Sequence, residues 1–230
     1  MEITSSEKNS RSYIVFFDLD RTVTDSVSGR ELATGAYKRG LMKRSDLAGA
    51  LLLSLFHKMR LADPARAIAR MGKWVKGIPV EKMEKLSSDI CNEILIPSVY
   101  TQVHKELSMH KGRNALVVIL SSTIAPVCRI MAGHLGIDDV QCTDLEEKDG
   151  VLTGNPSGNF CFEEEKAVRL KEYCEKNNSK LQDAWYYGDS VADIPALSIV
   201  GHPVCINPEK KLEKLARKNN WKIYYWHKEN

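Results

Sequence analysis

YIVFFDLDRTVTD, residues 13–25, is the stretch from which the fold can be read. Residues 13–17 are apolar or aromatic and rich in β-formers, and the run stops at Asp18. A short, continuous apolar run of this kind predicts a strand buried on both faces. A strand that ends in an acid delivers a carboxylate at its C-terminal tip, where open α/β sheets bind their ligands. Asp18 and Asp20 are two residues apart, so on a continuing strand both side chains face the same way. Carboxylates brought that close repel each other unless a cation lies between them, and a hard cation with oxygen ligands, Mg²⁺ above all, meets that need. Turn chemistry is the competing explanation, because Asp, Thr and Ser are also turn residues.

Residues 183–193, DAWYYGDSVAD, repeat the design: a short aromatic strand, Gly188 for a tight turn, then Asp189 and Asp193 at the start of a helix. Four carboxylates on two strand ends weigh against turn chemistry alone. With both stretches in view, the chain resembles the haloacid dehalogenase-like (HAD) superfamily of phosphohydrolases. Asp18-Leu19-Asp20-Arg21-Thr22 matches its DxDxT motif, and Gly188 to Asp193 matches its GDSxxD motif. The resemblance covers most of the chain from residue 12 and points to the phosphoserine phosphatase-like subclass (subfamily IB). A helical block directly after the first motif, the GDSxxDxP form of the last, and GHPVCINPEKKLEKLARKNNW over residues 201–221 carry that refinement.

The resemblance implies an α/β fold: a Rossmann-like, mainly parallel sheet with an all-helical cap inserted after the first strand. The catalytic core would comprise residues 12–27 and 105–230, and the cap residues 28–104, opening for substrate and closing to exclude water. It also implies a Mg²⁺-dependent phosphomonoesterase that works through an aspartyl-phosphate. Asp18 would be the nucleophile, while Asp20 would protonate the leaving alkoxide and later deprotonate the attacking water. Family members that are not phosphatases usually lack this second aspartate. Ser121, the first residue after the apolar run of residues 114–120, matches the Ser or Thr that donates to the phosphoryl group, although Ser122 and Thr123 are neighbours that could cap the next helix. Lys166 matches the lysine that bridges nucleophile and phosphate, with Lys171 and Lys176 close by. Taken alone, a lysine on a charged helix is usually a solvated side chain. The metal ligands implied are Asp18, Asp189 and the backbone carbonyl of Asp20, with Asp193 a further carboxylate acting directly or through water, or else capping the helix at Pro195. Phosphoserine phosphatases hold the substrate amine with a Glu soon after the first motif; Val27 stands there, with Glu31 a turn further on. The expected substrate is therefore a small phosphorylated metabolite, with serine phosphate in doubt.

The rest of the chain fits this scheme. From residue 26 to about 105 no strand-like run occurs, and helical periodicity predicts helices near 29–41, 45–61, 64–75 and 80–94, with Ser45 and Asp63 as N-caps. Beyond Pro97 comes a helix to about residue 110, the strand at 114–120, and a helix over 125–135 ended by Gly136. A short strand at 139–141, a hairpin in 142–154 turning at Asp149-Gly150 and a helix over 162–176 follow. The strand before Asp189 leads to helices at 191–199 and 208–218 and strands at 203–206 and 222–226. Strand–helix alternation of this kind argues for a parallel sheet.

At 230 residues and 43% hydrophobic the chain can bury a sizeable core. A net charge of +3 without a basic tail implies no nucleic-acid partner. Six scattered cysteines without a CxxC pair are expected to be reduced thiols. Residues 1–11 read as a disordered leader without the apolar core of a signal peptide, so a cytoplasmic location is expected. Residues 47–56, LAGALLLSLF, are too short to cross a bilayer and read as a buried cap helix. Flanked by Lys43, Arg44, Lys58 and Arg60, they also fit docking on a membrane surface. That makes a membrane-associated phosphatase of a lipid headgroup, such as phosphatidylglycerophosphate, the alternative within the enzyme class. A phosphate-binding regulatory protein without turnover is the alternative outside it, and the intact set of Asp18, Asp20, Lys166 and Asp189 argues against it.

Overall fold

A computed structural model of the chain describes residues 11–49 and 72–227. The expected first strand, β1 (Ile14–Phe17), lies inside a six-stranded sheet with β2 (Leu116–Ile124), β3 (Asp139–Thr143), β6 (Trp185–Gly188), β7 (His202–Ile206) and β8 (Lys222–Tyr224). Their order is β3-β2-β1-β6-β7-β8, and every neighbouring pair is parallel. All four residues of β1 are buried, and their alternation divides them between two cores. Val15 and Phe17 join Val117 and Ile119 on one face, whereas Ile14 and Phe16 join Val118 and Leu120 on the other. This is why the run reads as continuously apolar: a parallel sheet is covered on both sides. The first face is covered by α3 (Thr101–Gly112) and α4 (Ala125–Leu135) through Val103, Leu107, Val127 and Met131. The second is covered by α5 (Glu164–Lys176), α6 (Ile194–Ile199) and α7 (Lys210–Lys218) through Leu170, Leu197 and Leu212.

Between β1 and α3 the described chain is helical. Helix α1 (Ser28–Lys38) packs on α2 (Val80–Ile90) where Gly35 leaves room for Ile90, and α2 packs on α4. Instead of running to residue 94 as one helix, α2 continues as a π turn at Cys91–Leu95 and a 3-10 turn at Ile96–Ser98, where Pro97 prevents further α-helix. The expected helices at 45–61 and 64–75, Asp63 and the apolar 47–56 stretch fall largely in residues 50–71, outside the described residues, as does the leader at 1–10. Arg11 is anchored, donating to the Ala115 carbonyl at 3.1 Å and to Asp138 at 3.2 Å. No helix among the described residues is long and apolar enough to cross a membrane.

One further expectation needs correction. β2 does not stop at Ser121 but continues to Ile124, with a break in its register against β3 between Leu120 and Ile124. A strand irregularity of this kind re-aims side chains, and here it falls on the Ser-Ser-Thr run. The hairpin of β4 (Leu145–Lys148) and β5 (Val151–Pro156) turns at Asp149-Gly150 as expected, with φ of 53° and 76°, the pair of positive angles that a two-residue hairpin favours. Its second strand also bonds outward. Gly77 N–H donates to Leu152 O, Leu152 N–H to Ile78 O, and Val80 N–H to Gly150 O, at 2.8–3.0 Å. All six cysteines are buried free thiols.

Candidate active site

Asp18 follows β1 directly, and its N–H donates to the Tyr187 carbonyl of β6 at 2.9 Å. Ser121 lies in β2 and Asp189 immediately after β6, so the three residues sit at the same edge of three adjacent strands. Lys166, in the first turn of α5, is buried and reaches across under them. Its Nζ donates to Asp18 Oδ1 at 2.9 Å, to Asp193 Oδ1 at 2.6 Å and to the Tyr186 hydroxyl at 3.2 Å. The four sequence-selected groups Asp18, Lys166, Asp189 and Asp193 are thereby brought together, and Lys166 is separated from Lys171, whose ammonium lies at the surface beside Glu175.

Carboxylate oxygens of Asp18, Asp189 and Asp193 lie within 4.8 Å of one another. Donor counting tells them apart. Asp193 Oδ1 accepts from Lys166 and Tyr186, and Oδ2 accepts from the N–H groups of Asp189 and Ser190 and from the Ser190 hydroxyl. With Ser190 it also forms a capping box at the turn that starts α6, so both the helix cap and the carboxylate cluster are served by one side chain. Asp189 differs: among the described residues no donor meets its carboxylate. Gly188 has an ordinary negative φ, so a tight turn is not what requires it. A Cβ there would stand 2.7 Å from Asp193 Cγ, and the missing side chain is the space that Asp193 occupies.

Burial raises the pKa of Asp18, and the charge of Asp193 adds to this, while Lys166 and the Ser121 hydroxyl pull the other way. Burial also pushes Asp189 well above the ordinary carboxylate range, helped by Asp193 and Asp18 and opposed by Arg21 and Lys166. For Asp193 burial is overcome by Lys166, Tyr186 and Ser190, and its pKa is lowered. For Lys166 the desolvation cost is overcome by Asp18 and Asp193, and it stays charged. Lys166 is the one buried ammonium among the described residues, set against these buried acids. A divalent cation suits such an excess of negative charge and the oxygen-only donor set.

Asp20 stands apart from that cluster. Its carboxylate accepts from the N–H and the hydroxyl of Ser28, both at 2.9 Å, and Ser28 Oγ lies 2.7 Å from Thr123 Oγ1. Burial and the nearby Asp18 raise Asp20 to about 7 against the pull of Ser28. Thr123 in turn lies 3.3 Å from Ser121 Oγ; it belongs to the strand and does not cap α4 by its side chain. The sequence singles out neither Ser28 nor Tyr186, and it offers Thr123 only as a helix cap. Tyr186 alone carried a signal, since strand alternation puts it on the face opposite Tyr187. Glu31, the possible amine ligand, is held by Arg30 at 2.7 and 2.9 Å.

The model of the haloacid dehalogenase-like hydrolase family matches residues 15–198. The chain belongs to this family. Phosphoserine phosphatase SerB1 of Mycobacterium tuberculosis is 27% identical to this HAD hydrolase over 212 residues, 90% of this chain and 69% of that protein. A histidinol-phosphatase of Neisseria meningitidis is 27% identical over 230 residues, 91% of this chain and 97% of that protein. A phosphoserine phosphatase solved as a phospho-aspartyl intermediate analogue superposes with a TM-score of 0.71 at 20% identity, covering 93% of this HAD hydrolase and 92% of that chain. This likeness is one of fold.

Proposed function

We propose that this HAD hydrolase is a Mg²⁺-dependent phosphomonoesterase that acts on a small phosphorylated metabolite through an aspartyl-phosphate on Asp18. The observation that carries the reading is the meeting of Asp18 with buried Lys166 on one side and donor-free Asp189 on the other. The names of the two relatives, a phosphoserine phosphatase and a histidinol-phosphatase, support the class of substrate. That the same fold occurs in a phosphoserine phosphatase solved as a phospho-aspartyl intermediate analogue supports the covalent route.

Asp18 Oδ attacks phosphorus and the bond to the leaving oxygen breaks, with Asp20 giving that oxygen its proton. Water then attacks the phosphorus of the acyl phosphate, Asp20 takes the water's proton, and inorganic phosphate leaves Asp18. A group near pH 7 is suited to both transfers, and the two Ser28 hydrogen bonds hold Asp20 for them. Lys166 keeps its charge beside Asp18 and offers it to the phosphoryl oxygens, while Ser121 supplies a hydroxyl from the next strand. Asp18, Asp189 and the carbonyl of Asp20 would hold Mg²⁺, with Asp193 behind them; the ion contributes charge neutralisation at the phosphoryl group. Residues 28–104 act as the cap, with Ser28 tying its first turn to Asp20 and to Thr123.

The test is phosphate release from a panel of phosphorylated metabolites that includes phosphoserine and histidinol phosphate, with and without Mg²⁺. Mg²⁺-dependent release by the natural protein and background release by Asp18→Asn protein are expected. Equal rates for the two proteins would remove Asp18 from the mechanism.

A further inference from the structure

Arg21 sits between the two motif residues Asp20 and Thr22, at a φ of 59°. This left-handed conformation disfavours any residue with a Cβ, and glycine would occupy it freely. A residue held in such a conformation beside an active centre is a starting point for a functional hypothesis. The backbone N–H of Arg21 donates to Ser26 O, but no acceptor among the described residues meets its guanidinium. Arg21 lines a solvent-open pocket of about 610 Å³ together with Asp25, Tyr100, Asn207, Trp226 and His227.

The pocket adjoins the carboxylate cluster. The charge of Arg21 reaches Asp189, and the Asp189 carbonyl accepts from Glu209 N–H, two residues beyond Asn207. Its walls are fixed. Asn207 brackets the backbone of Trp226, donating to its carbonyl at 3.1 Å and accepting from its N–H at 2.8 Å. Tyr100 meets the Trp226 ring edge-on at 6.2 Å between centroids and donates its hydroxyl to Asp25 at 3.2 Å. The Asp25 carboxylate keeps its charge while accepting this bond, and the exposed guanidinium of Arg21, without an acceptor among the described residues, stands in the same pocket. A guanidinium in that state matches a carboxylate or a phosphate.

We propose that the Arg21 pocket binds a second acidic group on the alcohol portion of the substrate, so that the enzyme selects phosphomonoesters bearing a carboxylate or a further phosphate. The proposal rests on the phosphomonoesterase reading above and narrows it. Phenyl phosphate, 4-(carboxymethyl)phenyl phosphate and 4-(phosphonomethyl)phenyl phosphate form a series with closely similar leaving groups. Their dissociation constants are measured by calorimetry on Asp18→Asn protein with Mg²⁺, with and without Arg21→Gly, a change that removes the charge and relieves the backbone. Their kcat/KM values are measured on protein with Asp18 intact.

At least one acidic ester is expected to bind tenfold or more tightly than phenyl phosphate, with the Arg21→Gly change bringing the ratio to within twofold of one. Which arm responds tells carboxylate from phosphate recognition. Equal affinities across the series, or a preference that survives Arg21→Gly, would overturn the proposal. Binding preference without phosphate release from any ester by the Asp18 protein would leave the pocket standing and refute the phosphomonoesterase reading instead.

Discussion

Acidification should destabilise this protein through His110. His110 is fully buried under the sheet. Tyr13 Oη lies 2.9 Å from its Nδ1 and Tyr187 Oη 2.8 Å from its Nε2, and Trp185 and Phe17 pack edge-on against the ring. Burial, then the charges of Arg113 and His202, lower its pKa from 6.5 to about 4. The unfolded chain therefore takes up a proton near pH 6.5 that the folded chain refuses until about pH 4, and stability falls as the pH drops through this window. With a tenfold change in proton affinity worth ~1.4 kcal/mol, the full loss is roughly 3 kcal/mol, of which about 2 kcal/mol falls between pH 7 and pH 5. Urea unfolding of the natural protein and of His110→Gln at both pH values isolates this contribution, because the carboxylates are common to both proteins. The natural protein should lose about 2 kcal/mol more than the variant over that interval. Equal losses would show that His110 is not held neutral in the folded state.

Other outcomes follow from the site itself. Lys166→Met leaves Asp18 and Asp193 buried without their cation, and breaking such a pair costs about 3–5 kcal/mol; a thermal midpoint lowered by roughly 10 °C is expected, and an unchanged midpoint would contradict the buried pairing. Gly188→Ala places a methyl group against Asp193, and about 1–3 kcal/mol of overpacking should be measurable by denaturant unfolding, together with lost activity. Removing divalent cations with EDTA should abolish phosphate release, and added Mg²⁺ should restore it; activity that persists after exhaustive chelation would rule out the metal role.

The strand tips were legible in the sequence because their signal is local. An unbroken apolar run ending in Asp18 and a short aromatic run ending in Asp189 each encode a strand, a terminus and a chemical group within a dozen residues. The parallel sheet followed from the alternation of such strands with helices. Lys166 carried no local signal and was found through resemblance alone, since its burial depends on partners 148 and 27 residues away. Ser28 was illegible for the same reason, its contact with Thr123 spanning 95 residues. Gly188 was noticed for the wrong cause: sequence shows a missing Cβ but not the carboxylate that fills its place. The extension of β2 through Ser121 and Thr123 escaped notice because polar β-branched residues fit a strand and a helix cap equally well.

The hairpin of β4 and β5 bears on how the helical segment can move. Its backbone bonds to Gly77, Ile78 and Val80 stitch the hairpin turn and the start of β5, in a sheet separate from the central one, to the entry of α2. Among the described residues the segment from α1 to α2 is held by the chain following β1, the chain entering α3, the Ser28–Thr123 contact, the packing of α2 on α4 and this stitch. Swinging α2 outward requires either that these bonds break or that the hairpin travel with the helix as a single lever. In the second case the joint would lie between Thr143 and Leu145, at the root of the hairpin.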